Sequence, residues 1–208
     1  DTSGSRSFGA VGMEKREMIA EIAATLAFSA IHNNDKIVVI FFSDKIEKFI
    51  PPKKGMKHIL FIIRELIDFQ PESQGTDISY ALRYLTDALK KRCTTFVISD
   101  FIDNNDYYKS LSIANNKHDV TAIQVYDKRD SQLPEVGLIR IKDLETQEER
   151  WIDTSSSKVR QAHSKWWYER QIAMNTTMQR CRVDVASIAT DENYVKALMA
   201  LFQKRGVR

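Results

Sequence analysis

Apolar residues recur at two different periods along this chain, and the two kinds of segment alternate. Ile19, Ile22, Ala23, Leu26 and Ala30 return at helical spacing, which predicts a helix from about Met13 to His32. Lys36 to Ser43 is nearly continuous apolar sequence, rich in β-branched and aromatic residues, as in a strand buried on both faces of a parallel sheet. Lys45 to Ile50 reads as a short strand paired with it through a tight turn at Ser43 and Asp44, and Pro51-Pro52 is expected to end it. Ile59, Ile62, Ile63 and Leu66 mark a second helix that stops near Gln70-Pro71. The cleanest apolar stripe is Ile78, Ala81, Leu82, Leu85, Ala88 and Leu89, with Thr76 or Asp77 as its N-cap.

The alternation continues to the end. A strand is expected over Cys93 to Ser99, a helix over Asp106 to Asn116 and a strand over Val120 to Tyr126. Val136 to Lys142 and Glu149 to Ile152 read as a hairpin closed through Glu145-Thr146-Gln147. A long helix from Ser157 to Cys181, a strand from Val183 to Ile188 and a helix from Glu192 to Lys204 follow. On the long helix Trp166, Trp167, Ala173, Met174, Thr177, Met178 and Cys181 share a broad face, read as core packing. Strands alternating with helices predict an α/β fold with a mostly parallel sheet covered on both faces. No Gly/Ser/Pro-rich linker or repeat interrupts residues 1–208, so a single domain is expected.

Composition narrows the classes of function. The 31 basic and 28 acidic residues nearly cancel to +3, which leaves no basic stripe for nucleic acid. No apolar run is long enough to span a membrane. Cys93 and Cys181 have neither metal-ligand spacing nor a disulfide framework, so a reduced, cytoplasmic setting is expected. His32, His58, His118 and His163 show no mutual metal-binding spacing and no evident nucleophile beside them, which argues against catalysis. Tyr126 to Asp130 reads as a solvated loop, or as a frame for a partner at the strand edge.

Oxygen-bearing residues supply the candidate chemistry. Asp1-Thr2-Ser3-Gly4-Ser5 spells D-x-S-x-S, Thr76 enters the striped helix, and Asp100 ends an apolar strand. In open α/β sheets ligands sit at the carboxyl ends of strands, where these loops would converge. Asp1, Ser3, Ser5, Thr76 and Asp100 together make an all-oxygen set suited to Mg²⁺ or Mn²⁺, with a coordination position left for a partner's carboxylate. The competing explanation is that the hydroxyls cap helices and Asp100 caps a turn.

The order D-x-S-x-S, then G-T-D, then a strand ending in S-D resembles a von Willebrand factor A-type domain with its metal-ion-dependent adhesion site. The stretches AFSAIHNNDKIVVIFFSD, KFIPPKKGMKHIL, GTDISYAL, FVISDF, HDVTAIQVYD and ATDENYV resemble the bacterial "domain of unknown function fifty-eight" family, often encoded beside MoxR-type AAA ATPases. The resemblance runs from Asp1 to about Phe202. It implies a von Willebrand factor A-like, non-enzymatic, metal-dependent protein-interaction domain, with an adaptor for a MoxR-type ATPase as one such role. By the family pattern Ser3, Ser5 and Thr76 coordinate the ion, and Asp1 and Asp100 act directly or through water. Arg6 departs from that pattern, where a Met is common.

Two further expectations follow. The alternative function is a Mg²⁺-dependent phosphatase or phosphotransferase using Asp1 as nucleophile. It is disfavoured because Ser3 stands where a second acidic residue is needed and no Gly-rich phosphate loop with a Lys appears. In a von Willebrand A-type sheet the strand leading into D-x-S-x-S is central, and this chain begins at that strand's last residue. The gap between strands Lys36–Ser43 and Cys93–Ser99 is then expected to be filled by upstream residues or a neighbouring chain. With Asp1 as a free terminus its ammonium would repel a cation, so the ion is expected to need those upstream residues.

Overall fold

The computed structural model describes residues 1–2, 9–73, 75–142 and 149–206. Their contacts divide the chain into two units, Asp1–Thr94 with Asp103–Asp119, and Thr95–Ile102 with Val120–Arg208.

The first unit opens with α1 (Gly9–His32), which starts earlier than its apolar spacing suggests and fully buries Ile22. β1 (Ile37–Phe42) then pairs antiparallel with β2 (Ile46–Lys53). The expectation that β1 is buried on both faces of a parallel sheet is corrected here. Most of β1 is half-buried, and among the described residues its ladder partner is the antiparallel β2. Pro51 and Pro52 do not end β2 but lie inside it. Between the pairs Ile37↔Lys53 and Val39↔Ile50 the register shifts, so the prolines occupy an irregularity where no N–H is demanded of them.

α2 (Met56–Asp68) turns Ile59 and Ile62 inward, both 1% exposed. Phe41, Ile50 and Ile62 form a core cluster with Ile37, Val39, Leu66 and Phe69 packed against it. The Phe41 and Phe69 rings stand 4.7 Å apart. α3 (Ile78–Ala88) buries Ile78, Ala81, Leu82 and Leu85, as its stripe predicts, and Asp77 caps it by accepting from the Tyr80 N–H at 2.7 Å. α4 (Tyr108–Lys117) joins this unit by packing on α3 through buried Leu111 and Ala114 and a Ser79–Ser110 hydroxyl contact of 2.7 Å.

In the second unit β3 (Thr94–Ser99), β4 (Asp119–Tyr126) and β7 (Asp184–Ala189) form a parallel sheet in the order β3–β4–β7. β4 is its most buried strand, with Val120, Ala122, Ile123 and Val125 all inside. α5 (Lys128–Ser131) is a single turn that the apolar pattern did not foresee. β5 (Leu138–Lys142) and β6 (Glu149–Asp153) form the expected antiparallel hairpin; its closing residues Glu145-Thr146-Gln147 lie outside the described residues. On α6 (Ser157–Arg180) the buried face is narrower than expected. Trp167, Met174 and Met178 are buried, while Trp166 is 39% exposed and Ala173 faces solvent. α7 (Tyr194–Gly206) buries Leu198 and Leu201 and sets Phe202 edge-on to Phe96.

The core cluster of the first unit has a direct test. Ile62→Ala should destabilise the protein by about 2–5 kcal/mol, because the rigid β1–β2 floor can collapse only partly into the cavity. Urea unfolding with an unchanged m-value measures it.

Candidate functional site

The end of β1 gathers two of the three candidate loops. Thr2 is 4% exposed, and both its N–H and its hydroxyl donate to the Phe42 carbonyl, at 2.6 and 2.8 Å. The next carbonyl, that of Ser43, accepts the Asp77 N–H at 2.9 Å. Consecutive carbonyls therefore fix Asp1-Thr2 on one side and Thr76-Asp77 on the other. Thr76 is 8% exposed, a polar side chain held nearly out of water. Ser3 and Ser5 lie outside the described residues.

The loop carrying Thr76 is anchored from the hairpin. Glu47 on β2 accepts the Ser43 hydroxyl at 2.7 Å, the Ser73 N–H at 3.0 Å and the Glu72 N–H at 3.3 Å. Burial alone would raise the Glu47 carboxyl, but those donors outweigh it and its pKa lies below the ordinary value. Lys45 adds an exposed ion pair to Glu72 at 2.6 Å. Gly75 passes so close to Asp44 that a Cβ there would stand 3.2 Å from the Asp44 Cβ and Oδ2. Asp103 closes the other flank, accepting the Ile78 N–H at the start of α3 and the Asn105 N–H, both at 2.8 Å. Burial pushes its carboxyl up, and the neighbouring Asp77 adds to that.

Asp100 belongs to the second unit, where it follows β3 and is 5% exposed. Its Oδ1 accepts the Ile102 N–H at 3.1 Å, and its carbonyl accepts from Gln124 Nε2 at 3.2 Å. Phe101 follows in the left-handed region, at φ 58, with its ring buried. An aromatic residue tolerates that conformation poorly, so the turn after Asp100 is imposed by its surroundings. The donors in question are hydroxyls and carboxylates, the chemistry a hard divalent cation takes. Among the described residues no group of three or more His, Cys, Asp or Glu side chains is arranged to hold a metal.

A family profile matches residues 1–173. The chain belongs to the family described as protein of unknown function DUF58. Uncharacterized protein Mb1516 of Mycobacterium bovis is 23% identical over 207 residues, which is 99% of this chain and 65% of that protein. This DUF58 chain thus spans less than two thirds of that relative's length. Uncharacterized protein MAV169 of Mycobacterium avium is 25% identical over 158 residues, 75% of this chain and 93% of its own length. Among solved structures, an aerotolerance-related membrane protein from Bacteroides fragilis aligns over 100% of this chain and 96% of its own, with a TM-score of 0.62 and 15% identity. The conserved hypothetical protein BatB from Bacteroides thetaiotaomicron covers 93% and 89%, with a TM-score of 0.55 and 14% identity. At those identities what is shared is the fold.

Sequence reasoning missed an anchor at the end of β4 in this DUF58 chain. Asp127, assigned to a solvated loop, is 3% exposed and caps α5. It accepts from Arg129 through Nε at 2.8 Å and Nη2 at 2.9 Å, and from the Thr190 hydroxyl at 3.1 Å. The D-x-x-D spacing of Asp127 and Asp130, a reciprocal capping box, was the available signal. Three of the four histidines are engaged in structure: His58 Nε2 meets the Ile37 carbonyl at 3.0 Å, and His163 Nε2 meets that of Asp130 at 2.7 Å. His118, fully buried, sets Nδ1 3.3 Å from Cys93 Sγ, and burial lowers its pKa.

Two measurements test these anchors. Glu47→Ala should accelerate hydrogen exchange at the Glu72 and Ser73 amides and cost about 1–2 kcal/mol. Lys45→Ala, which removes only an exposed pair, should leave stability nearly unchanged. The Arg129 guanidinium holds the Asp127 carboxyl at about 2, against an ordinary 3.8, so the folded state binds this proton less readily than the unfolded chain. The stabilisation is present above pH 3.8 and is lost as pH falls toward about 2. Asp127→Asn keeps a capping oxygen, so it should lower neutral-pH stability by about 1–2 kcal/mol, discounted for the half-exposed Arg129, and flatten the acid limb.

Proposed function

We propose that this chain is a metal-dependent protein-interaction module with a von Willebrand factor A-type fold. Thr76, with Ser3 and Ser5, supplies hydroxyl ligands to Mg²⁺ or Mn²⁺, and Asp1 and Asp100 act directly or through water. The bound cation offers an open coordination position as a Lewis acid to a carboxylate of the partner. The observation that carries the reading is the pinning of Asp1-Thr2 and Thr76-Asp77 to the consecutive carbonyls of Phe42 and Ser43. Two loops far apart in sequence are presented at one strand end, with the Thr76 hydroxyl nearly buried.

A binding role rather than catalysis is supported by the engagement of His58, His118 and His163 in structural contacts, which leaves none of them poised as a general base. The partner we favour is a MoxR-type AAA ATPase, for which the module serves as adaptor. That choice rests on family resemblance alone. A cytoplasmic setting is part of the same proposal, supported by Cys93 and Cys181 standing outside any disulfide. Among the described residues no helix is long and apolar enough to cross a membrane.

The test titrates Mg²⁺ into the purified protein. Mg²⁺ at a hundredfold excess over its dissociation constant should add about 2.7 kcal/mol to stability, raising Tm. Thr76→Ala and Asp100→Ala should lose that increment. A purified MoxR-type ATPase from the same genome should be retained by the wild type in Mg²⁺ and released by EDTA. An unmoved Tm in saturating Mg²⁺ sinks the metal site. Phosphate-ester turnover abolished by Asp1→Asn would replace binding with catalysis.

A further inference from the structure

β2 and α2 meet in a groove of about 410 Å³ lined by Ile50, Pro51, Lys53, Lys54, Lys57 and Phe61. Its floor is apolar: Ile50 is 2% exposed and belongs to the core cluster of the first unit. On the helix side Phe61 is 45% exposed, with Met56 and Leu60 exposed on the same helix. Apolar side chains clustered beside a recess can form a recognition surface when the rim carries complementary charge. The groove is independent of the proposed metal ligands.

Charge decides what fits. Elsewhere in this region the cations are paired: Lys45 with Glu72, Lys48 with Glu65 and Arg64 with Asp68. Among the described residues Lys53, Lys54 and Lys57 have no such partner, and no carboxylate lines the groove. The remaining polar side chain, His58, is spent on the Ile37 carbonyl. α2 adds the same sign of field. Gly55 caps it at φ 93 without a side-chain hydrogen bond, and the first turn holds no acidic residue. In a chain whose charges nearly cancel, three lysines without an ion-pair partner among the described residues line a groove with an apolar floor.

We propose that this groove docks an extended acidic–apolar peptide segment, with an aliphatic or aromatic side chain over Ile50 and Phe61 and flanking carboxylates on Lys53, Lys54 and Lys57. Pro51 and Pro52 offer no N–H, so side chains rather than an added strand carry the recognition. A recess with a nearly buried floor accepts a protruding side chain, which a bilayer surface does not present. No cation is required.

The probe is a fluorescein-labelled octapeptide alternating glutamate and leucine, titrated with the full chain in EDTA and read by anisotropy. Saturable binding is expected, weakening as salt rises. Lys53→Glu with Lys54→Glu, and separately Phe61→Ser, should each weaken it by about tenfold or more. All three positions are exposed, and an unchanged far-UV spectrum and Tm would show that the variants fold. Equal binding of a lysine–leucine octapeptide, indifference to the charge reversal, or absence of saturable binding overturns the proposal. So does capture by phosphatidylserine vesicles without peptide binding, which would make the surface a membrane contact. Binding that appears only with Mg²⁺ would assign the segment to the metal site instead. Because the assay runs in EDTA, failure of the metal reading leaves this result intact.

Discussion

Where a strand ends inside a protein, its last carbonyls must be satisfied by something other than the ladder. At β1 that requirement organises the candidate site. The Phe42 carbonyl takes two bonds from Thr2, and the Ser43 carbonyl takes the N–H of Asp77. Asp77 in turn caps α3, and Asp103 binds the next amide, that of Ile78. The strand end, the loop carrying Thr76 and the helix start are therefore one hydrogen-bonded unit. Glu47 ties the same loop back to β2 through Ser73 and Glu72. Each bond contributes modestly, but leaving any of these buried groups unmade would cost more than the bond returns.

Segments whose local chemistry and burial agree were legible in the sequence. α3 combines a clean stripe with Asp77 as cap, and β4 is buried along nearly its whole length because it lies between β3 and β7. The failures share a cause, which is that pairing partners are invisible to periodicity. β1 looks like an interior parallel strand by composition, yet its described neighbour is an antiparallel β2 containing two prolines. On α6 the aromatic content suggested a face broad enough to bury Trp166. Its indole instead meets the Arg170 guanidinium, 4.9 Å from the ring centroid, a contact that suits a partly exposed position.

The candidate site was legible in its residue types and less so in its supports. Thr76 and Asp100 stand out in the sequence as oxygen-bearing residues at a helix start and a strand end, and the structure has both nearly buried. Glu47 and Asp103 gave no such signal, since an isolated carboxylate in a strand or an Asn/Asp-rich loop reads as solvated. Their roles emerge only when the amides of residues 72, 73, 78 and 105 are found pointing at them. Asp127 carries the same lesson in the second unit, where Arg129 and Thr190 turn a loop carboxylate into a buried anchor.

The two proposed surfaces differ in what they ask of a ligand, although both favour carboxylates. A divalent cation held by neutral hydroxyls and balanced by two acids keeps an unfilled coordination position, and it accepts one carboxylate in a fixed direction. The lysines beside Ile50 hold mobile ammonium groups, which tolerate variation in the spacing of acidic residues while the apolar recess sets the register. Directional coordination supplies selectivity for one residue, and a charged apolar groove supplies tolerance for a segment. Joined on one ligand chain, the second contact would raise the effective concentration of the first without any change at the ion. Weak engagement at each surface can then suffice for a stable complex that still comes apart when the cation is withdrawn.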